Sequence, residues 1–96
     1  MRISASDQVV AWLAGLPPDP KRRVRRALRH LAAGRGDIRQ LERELSGFHR
    51  LRVGGYRIVF HYEDEVTIRL DFAEERSVVY ETLIALLHRA ARESRE

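Results

Sequence analysis

The sequence predicts an α+β fold, in which a helical hairpin packs on a small antiparallel β-meander and a C-terminal helix follows. Two apolar stretches with helical spacing lie on either side of Pro17-Pro18, which suits two helices joined by a short turn. Three stretches of alternating polarity follow between residues 48 and 72. The chain then ends in a further apolar stretch with helical spacing.

Length and composition restrict the possible classes of protein. With 96 residues the chain is expected to form a single domain, residues 1–96, around one core. It has no cysteine, which excludes disulfides and thiolate metal sites. No apolar run reaches the roughly 18 residues that a membrane helix needs, and no secretory signal is recognisable. We therefore expect a cytoplasmic protein that does not associate with a membrane.

The charge of the chain indicates an anionic partner. A net charge of +4 and a pI near 10.3 favour binding to nucleic acid or to an acidic protein. Lys21 is the only lysine among the 18 basic residues. This preference for arginine fits phosphate binding and a GC-rich genome equally well. Only the placement of the arginines can distinguish the two explanations.

The first elements are predicted to be a short strand and a helix. Residues 2–5 suit a strand, and Ser6-Asp7 suits the N-cap of a helix that ends near Gly15. The positions expected to be buried are Val9, Val10, Trp12, Leu13 and Leu16.

The second helix is strongly basic. Asp19 is its expected N-cap and Pro20 its expected first residue. Its buried stripe is predicted to contain Val24, Ala27, Leu28 and Leu31. The remaining surface carries Lys21, Arg22, Arg23, Arg25, Arg26 and Arg29. We expect this surface to attract an anionic partner, with Lys21, Arg22 and Arg25 as candidate RNA contacts.

A break at residues 34–37, Gly-Arg-Gly-Asp, separates this helix from the meander. We predict a turn of helix or an ordered loop for residues 38–45, with Leu41 and Leu45 pointing inward.

The hairpin at residues 48–62 has the clearest pattern in the chain. Gly54-Gly55 suits a two-residue type I′ turn, which needs positive φ at both central positions. This turn pairs Val53 with Tyr56, and successive side chains then alternate between two faces. The face expected to back the core carries His49, Leu51, Val53, Tyr56, Ile58 and Phe60. The face expected to point outward carries Phe48, Arg50, Arg52, Arg57, Val59 and His61.

A third strand is predicted from the alternation of Val66, Ile68, Leu70 and Phe72. All four face the core if Tyr62 pairs with Val66. This register adds Arg69 to the outward face, where it joins His61 as a candidate RNA contact, and it places Arg57 opposite Asp71. Arg57 is then either a site residue or the salt-bridge partner of Asp71.

A final helix, with Ser77 as its expected N-cap, is predicted to contain Val79, Tyr80, Leu83, Ile84, Leu87 and Ala90.

The arginines of the outward face suit the cleavage of RNA without a metal ion. Such cleavage needs an acceptor for the 2′-hydroxyl proton, stabilisation of the phosphorane and a donor for the 5′-oxygen. Arg50, Arg52 and Arg57 suit the second role, because a guanidinium fork matches two phosphate oxygens. Tyr80 and His61 are candidates for moving the protons. No carboxylate or histidine pair stands at ligand spacing, so we expect no metal and no cofactor.

The motif string of the chain resembles that of a known family. It consists of Leu45-Ser46-Gly47, His-Arg-Leu-Arg-Val at residues 49–53, Gly-Tyr-Arg-Ile-Val-Phe at residues 55–60, and Arg76 with Val79-Tyr80. Together with the two preceding helices, it resembles the RelE/ParE toxins of type II toxin–antitoxin systems over nearly the whole chain. The resemblance implies a RelE-like fold and one of two activities. RelE-like members are ribosome-dependent endoribonucleases that cut mRNA, whereas ParE-like members poison DNA gyrase.

The resemblance also implies a set of functional residues and partners. Carried over one at a time, the ribonuclease site becomes Arg50, Arg52, Arg57, Arg76 and Tyr80. Two positions depart from the ribonucleases: Glu74 replaces a frequent arginine, and Arg39 stands where a related branch has a glutamate base. An mRNA endoribonuclease is therefore the expected function, with a gyrase poison or an inactive antitoxin-binding member as alternatives. The expected partners are a cognate antitoxin, with an acidic amphipathic segment, and mRNA on the ribosome, or gyrase instead.

Overall fold

The computed structural model describes residues 1–75 and 79–93, with side chains for residues 1–75 and 83–91. It has the predicted α+β architecture of three helices and one sheet. The elements in chain order are β1 (Arg2–Ala5), α1 (Asp7–Ala14), α2 (Pro18–Ala32), β2 (Asp37–Gln40), a 3₁₀ turn (Arg43–Leu45), β3 (His49–Val53), β4 (Tyr56–Tyr62), β5 (Thr67–Glu75) and α3 (Val79–Glu93).

The sheet has five strands in the order β1-β5-β4-β3-β2. β1 is parallel to β5, and the other neighbours are antiparallel. The strand predicted at residues 2–5 is confirmed. The turn of helix or ordered loop predicted from residue 38 is wrong for residues 38–40, which belong to β2. The sequence of β2, Asp-Ile-Arg-Gln, has only one apolar residue and gives no alternation to detect. Its pairing with β3 makes it a strand, so tertiary context decides its structure.

The helices α1 and α2 cover one side of the sheet, called here the α1/α2 face. The core on this face consists of Val9, Val24, Leu31, Leu51, Ile58, Phe60, Ile68, Leu70 and Ala73. Trp12 packs against it and meets the Tyr56 ring edge-on, as its apolar setting predicted. Val10 was expected in the core but is 57% exposed, because α1 is only eight residues long and turns a single narrow face inward.

The first helix begins at the predicted residue, and the second does not. Ser6 caps α1 as expected, and its hydroxyl accepts a hydrogen bond from the Val9 amide. The expected start of α2 at Asp19-Pro20 is wrong, because the helix already begins at Pro18. Pro18 and Pro20 both fit the first turn of the helix, where backbone amide groups have no hydrogen-bond partner within the helix. The predicted buried stripe of α2 is confirmed, with Val24 and Leu31 fully buried.

The hairpin of β3 and β4 has the predicted register, from Val53 opposite Tyr56 to His49 opposite Phe60. The turn differs from the prediction. Gly54 has a φ of 59°, whereas Gly55 is not among the residues with positive φ. Positive φ at the first central position alone is the pattern of a type II′ turn, and not of type I′.

The predicted register of β5 is wrong. Tyr62 pairs with Ile68 instead of Val66, and Val66 lies before the strand with its side chain exposed. A β-bulge then inserts Asp71 between the Phe60–Leu70 and Val59–Phe72 pairs. The extra residue reverses the alternation, so Phe72 points away from the α1/α2 core. As a result Arg57 is opposite Glu74, and the expected Arg57–Asp71 pair does not exist.

The other side of the sheet, the α3 face, is partly covered. A second small core there joins Val59 and Phe72 of the sheet to Leu45 and Leu83, with Leu41, Phe48, Ile84 and Leu87 at its edge. The inward positions of Leu41 and Leu45 are thereby confirmed. The expectation of a fully outward face is wrong, because Phe72 and Val59 provide an apolar patch on which α3 packs.

Candidate functional site

Four charged residues form a row across the α3 face at the hairpin end of the sheet. Asp37 of β2 is in register with Arg52 of β3, which is in register with Arg57 of β4, which is in register with Glu74 of β5. We call these four residues the arginine row. Hairpin pairing brings the two arginines together, and the bulge in β5 brings Glu74 beside them.

The two arginines of this row stand directly opposite each other. Cβ atoms of such cross-strand pairs lie about 4.5–5.5 Å apart, and like charges at this distance destabilise a sheet. Arg52 is exposed and donates from Nε to the Gly54 carbonyl oxygen at 3.3 Å. Arg57 is half-buried and forms no ion pair with any residue that the structure describes. A bound anion would relieve the repulsion, so the pair is suited to hold a phosphate.

Arg50 does not join this pair, although it lies on the same face. Its guanidinium donates to Asp37 at 3.0 Å, and its side chain is only 12% exposed. Its Nε is buried and has no hydrogen-bond partner. The arginine that was predicted to converge with Arg52 and Arg57 is therefore held by a carboxylate and screened from solvent.

Two further predicted site residues fall partly or wholly outside the described part of the chain. Arg76 lies in the undescribed residues 76–78. The backbone of Tyr80 lies in the first turn of α3, and its side chain is not among those described. Their roles remain predictions from the resemblance.

His61 and Arg69 lie at the opposite end of the α3 face, in register with each other. His61 Nδ1 is 2.7 Å from the Asp71 carboxylate, and Arg69 donates to the Ser4 hydroxyl at 3.4 Å. Burial raises the pKa of the Asp71 carboxyl, and the hydrogen bond from His61 partly offsets this rise. His61 is four residues from Arg57 along β4, about 13 Å at roughly 3.3 Å per residue. The two ends therefore cannot hold one phosphate together.

The candidate RNA contacts of α2 lie on the other side of the molecule. Lys21 donates to the Ala14 carbonyl oxygen at 3.0 Å and links the two helices, and Arg22 pairs with Asp19. Arg25 is exposed and lines a shallow, open hollow of about 580 Å³ on the outer surface of the helix. Because α2 packs on the α1/α2 face, these three residues do not belong to the arginine row.

Two members of the row, Asp37 and Glu74, were not predicted as site residues. Glu74 was noted only as a departure from the ribonuclease pattern, because the uninterrupted alternation of β5 put Asp71 opposite Arg57. The bulge in β5 places Glu74 opposite Arg57, and the sequence marks this bulge with neither a glycine nor a proline.

The described part of the chain contains neither a membrane-spanning helix nor a metal site. The described helices include none that is both long and apolar enough to cross a membrane. Within residues 1–75 and 79–93, histidine, aspartate and glutamate side chains form no group of three that could hold a metal ion.

The sheet order, the two preceding helices and the third helix on the opposite face together define the RelE-like toxin fold. No protein-family model and no curated protein matches the chain. Solved structures do. The RelB–RelE antitoxin–toxin complex from Methanococcus jannaschii is 19% identical, with a TM-score of 0.64 over 81% of this chain and 95% of that chain. The toxin–antitoxin complex RelBE2 from Mycobacterium tuberculosis is 24% identical, with a TM-score of 0.66 over 79% and 91%.

A third similar structure is the YoeB–YefM complex from Staphylococcus aureus, 16% identical, with a TM-score of 0.64 over 79% of this chain and 97% of that chain. The coverage is nearly complete for all three neighbours. At these identities the similarity establishes the fold, and the chain has the fold of the RelE-like toxins.

Proposed function

We propose that this protein is the toxin of a type II toxin–antitoxin system and acts as a ribosome-dependent mRNA endoribonuclease. The observation that carries the proposal is the pair of opposed arginines, Arg52 and Arg57, neither of which forms an ion pair with a described residue. Two cations held at this distance favour an anion with several oxygens, and a phosphodiester is such an anion.

The chemistry follows from the geometry of the pair. Attack of a 2′-hydroxyl on the adjacent phosphorus puts an additional negative charge on the phosphorane oxygens. The forks of Arg52 and Arg57 approach these oxygens from two neighbouring strands and stabilise that charge. Arginine keeps its charge at any working pH, so this stabilisation does not depend on a proton. Removal of one such donor typically slows a reaction about 10²–10³-fold.

The fold supports the same proposal. Three solved neighbours with this fold are toxins in complexes with their antitoxins. The motif string shared with the RelE/ParE toxins ends at Arg76 and Tyr80, which we retain as site residues. Arg50 we assign to binding Asp37 and supporting the row, since its guanidinium is committed and nearly buried.

The experiment is translation of a defined mRNA in a cell extract, with cleavage positions mapped on the message. We expect cuts in register with codons from the wild-type protein, and a loss of about 100-fold or more with Arg57→Ala or Tyr80→Phe. Arg35→Ala is the matched control, because Arg35 is an exposed arginine of the loop before β2. Intact mRNA at saturating wild-type protein would contradict the proposal.

The proposed partner is an antitoxin with an acidic, amphipathic segment. Its binding is favoured by the net charge of +4 and by the basic surface of α2. Co-expression of the product of an adjacent gene should restore growth of cells that express this protein. Failure of both adjacent gene products to bind the protein would exclude a neighbouring antitoxin.

One observation favours a second function, the poisoning of DNA gyrase. Glu74 places a negative charge in the row where the ribonucleases often have an arginine. A supercoiling assay with purified gyrase separates the two functions. Inhibition with trapped cleavage complexes, together with intact mRNA in the extract, would support the gyrase target.

A further inference from the structure

The α3 face has one carboxylate in its strands that is not committed to another residue. Asp37 accepts from Arg50, and Asp71 is bonded to His61. The Glu74 carboxylate has neither a hydrogen bond nor an ion pair with any described residue. It is half-buried at the end of the arginine row.

The position of Glu74 relative to Arg57 is fixed by the sheet. The two residues are directly opposite on β5 and β4, so their Cβ atoms lie about 4.5–5.5 Å apart. Arg52 follows one strand further, at a strand spacing of about 4.8 Å. A phosphate held between the two arginines would therefore have Glu74 on its β5 side, within reach of a neighbouring ribose.

We propose that Glu74 is the general base of this protein. The proposal rests on the proposed ribonuclease function and assigns it the proton acceptor that the arginines cannot supply. The resemblance gives no such role to this position, since the ribonucleases often have arginine there. The register of the bulged strand alone brings the carboxylate to the site.

The proposed reaction is a single displacement at phosphorus. The Glu74 carboxylate takes the proton of the 2′-hydroxyl as the 2′-oxygen forms a bond to phosphorus. The bond from phosphorus to the 5′-oxygen breaks, and the leaving oxygen takes a proton from water. The products are a 2′,3′-cyclic phosphate and a 5′-hydroxyl, and Glu74 returns its proton to the hydroxide that was formed.

The test uses Glu74→Gln, which keeps the size of the side chain and removes its basicity. Single-turnover cleavage on programmed ribosomes should fall by about 10²–10⁴-fold, the usual contribution of a general base. The substitution should leave unchanged or increase the affinity for ribosomes programmed with an mRNA that has a 2′-deoxy nucleotide at the cleaved position. The reason is that it removes a negative charge near the phosphate. Glu74→Asp should retain part of the cleavage rate.

Glu75→Gln is the matched control, because Glu75 is the next residue of β5 and points to the opposite face, opposite Tyr56. Its cleavage rate should equal that of the wild type. If the Glu74→Gln variant cleaves at the wild-type rate, the role of Glu74 is overturned and the proposed function is unaffected. A parallel loss of binding and cleavage would assign Glu74 to supporting Arg57 and also overturn the proposal. Absence of cleavage by the wild type would overturn both.

Discussion

Arg50 and Arg52 show how different two arginines of one strand can be. They are two residues apart on β3 and point to the same face, as their spacing predicts. Arg52 is exposed at the hairpin end, whereas Arg50 lies beside the second core and is held by Asp37. A buried guanidinium needs a carboxylate partner, because desolvation of an unpaired charge is costly. The same residue type thus has a structural partner at one position and, in the proposed function, binds phosphate at the other.

The Arg50–Asp37 pair gives a prediction about stability. Asp37→Ala removes the only carboxylate bonded to Arg50 in the described chain and leaves a guanidinium whose side chain is only 12% exposed without its ion pair. We expect a loss of about 1–3 kcal/mol in the free energy of unfolding, measured by urea denaturation. Glu65→Ala, in the exposed turn before β5, is the control and should change it by less than about 0.5 kcal/mol. Equal effects of the two substitutions would refute the structural role of Arg50.

Asp71 gives a prediction about pH. Because burial raises its folded-state pKa above the unfolded value of about 3.9, the folded protein binds the proton more readily. Stability assigned to this group therefore falls as pH rises through the folded pKa, and it increases as pH falls toward about 3.9. The stability of the wild type relative to Asp71→Asn should thus rise on acidification from neutral pH, measured by thermal unfolding. A difference that is constant with pH would contradict this.

At the scale of elements, β5 determines which residues meet. A strand with strict alternation would place all its apolar residues on one face, but the bulge at Asp71 divides them between two cores. Leu70 and Ile68 pack under α1 and α2, while Phe72 packs under α3. A single inserted residue thereby creates the docking patch for α3 and moves Glu74 opposite Arg57.

The hairpin turn gives a prediction at this scale. Gly54 has positive φ, which costs a residue with a Cβ atom about 1–2 kcal/mol, and Gly55 does not. Gly54→Ala should therefore lower the free energy of unfolding by about that amount. Gly55→Ala is a control in the same turn and should change it by less than about 0.5 kcal/mol, since a Cβ atom there meets nothing within 4 Å. Denaturant titration of both variants checks this, and a larger effect at Gly55 would exclude the type II′ assignment.

On the scale of the whole molecule, the sheet separates two basic surfaces. The arginine row lies on the α3 face, and the arginines of α2 lie on the far side. The hairpin turn connects them, because a Cβ atom at Gly54 would lie 3.9 Å from Nη1 of Arg23. Positive charge therefore extends around the end of the sheet, which suits a partner that is anionic along its whole length.

The basic surface of α2 gives a prediction about the affinity for RNA. Replacement of Lys21, Arg22 and Arg25 with glutamine should weaken binding to polyuridine RNA. It should also reduce the slope of log affinity against log salt by up to about 2, at about 0.7 per phosphate contact. The charge-matched control replaces exposed arginines elsewhere, Arg2, Arg35 and Arg43. Fluorescence anisotropy at several salt concentrations measures both slopes, and equal slopes for the two variants would refute RNA binding by α2.

The sequence alone determined the α+β class, the buried stripe of α2 and the hairpin register, because periodicity and a Gly-Gly turn are local signals. It also identified Arg52 and Arg57 as neighbours. Three other features follow from contacts that no local signal marks: β2 is a strand, Asp37 binds Arg50, and Glu74 lies opposite Arg57. The first two features depend on pairing between strands, and the third depends on the bulge in β5. The bulge is stabilised by the burial of Phe72 and Val59 beneath α3, and not by a local preference of the sequence.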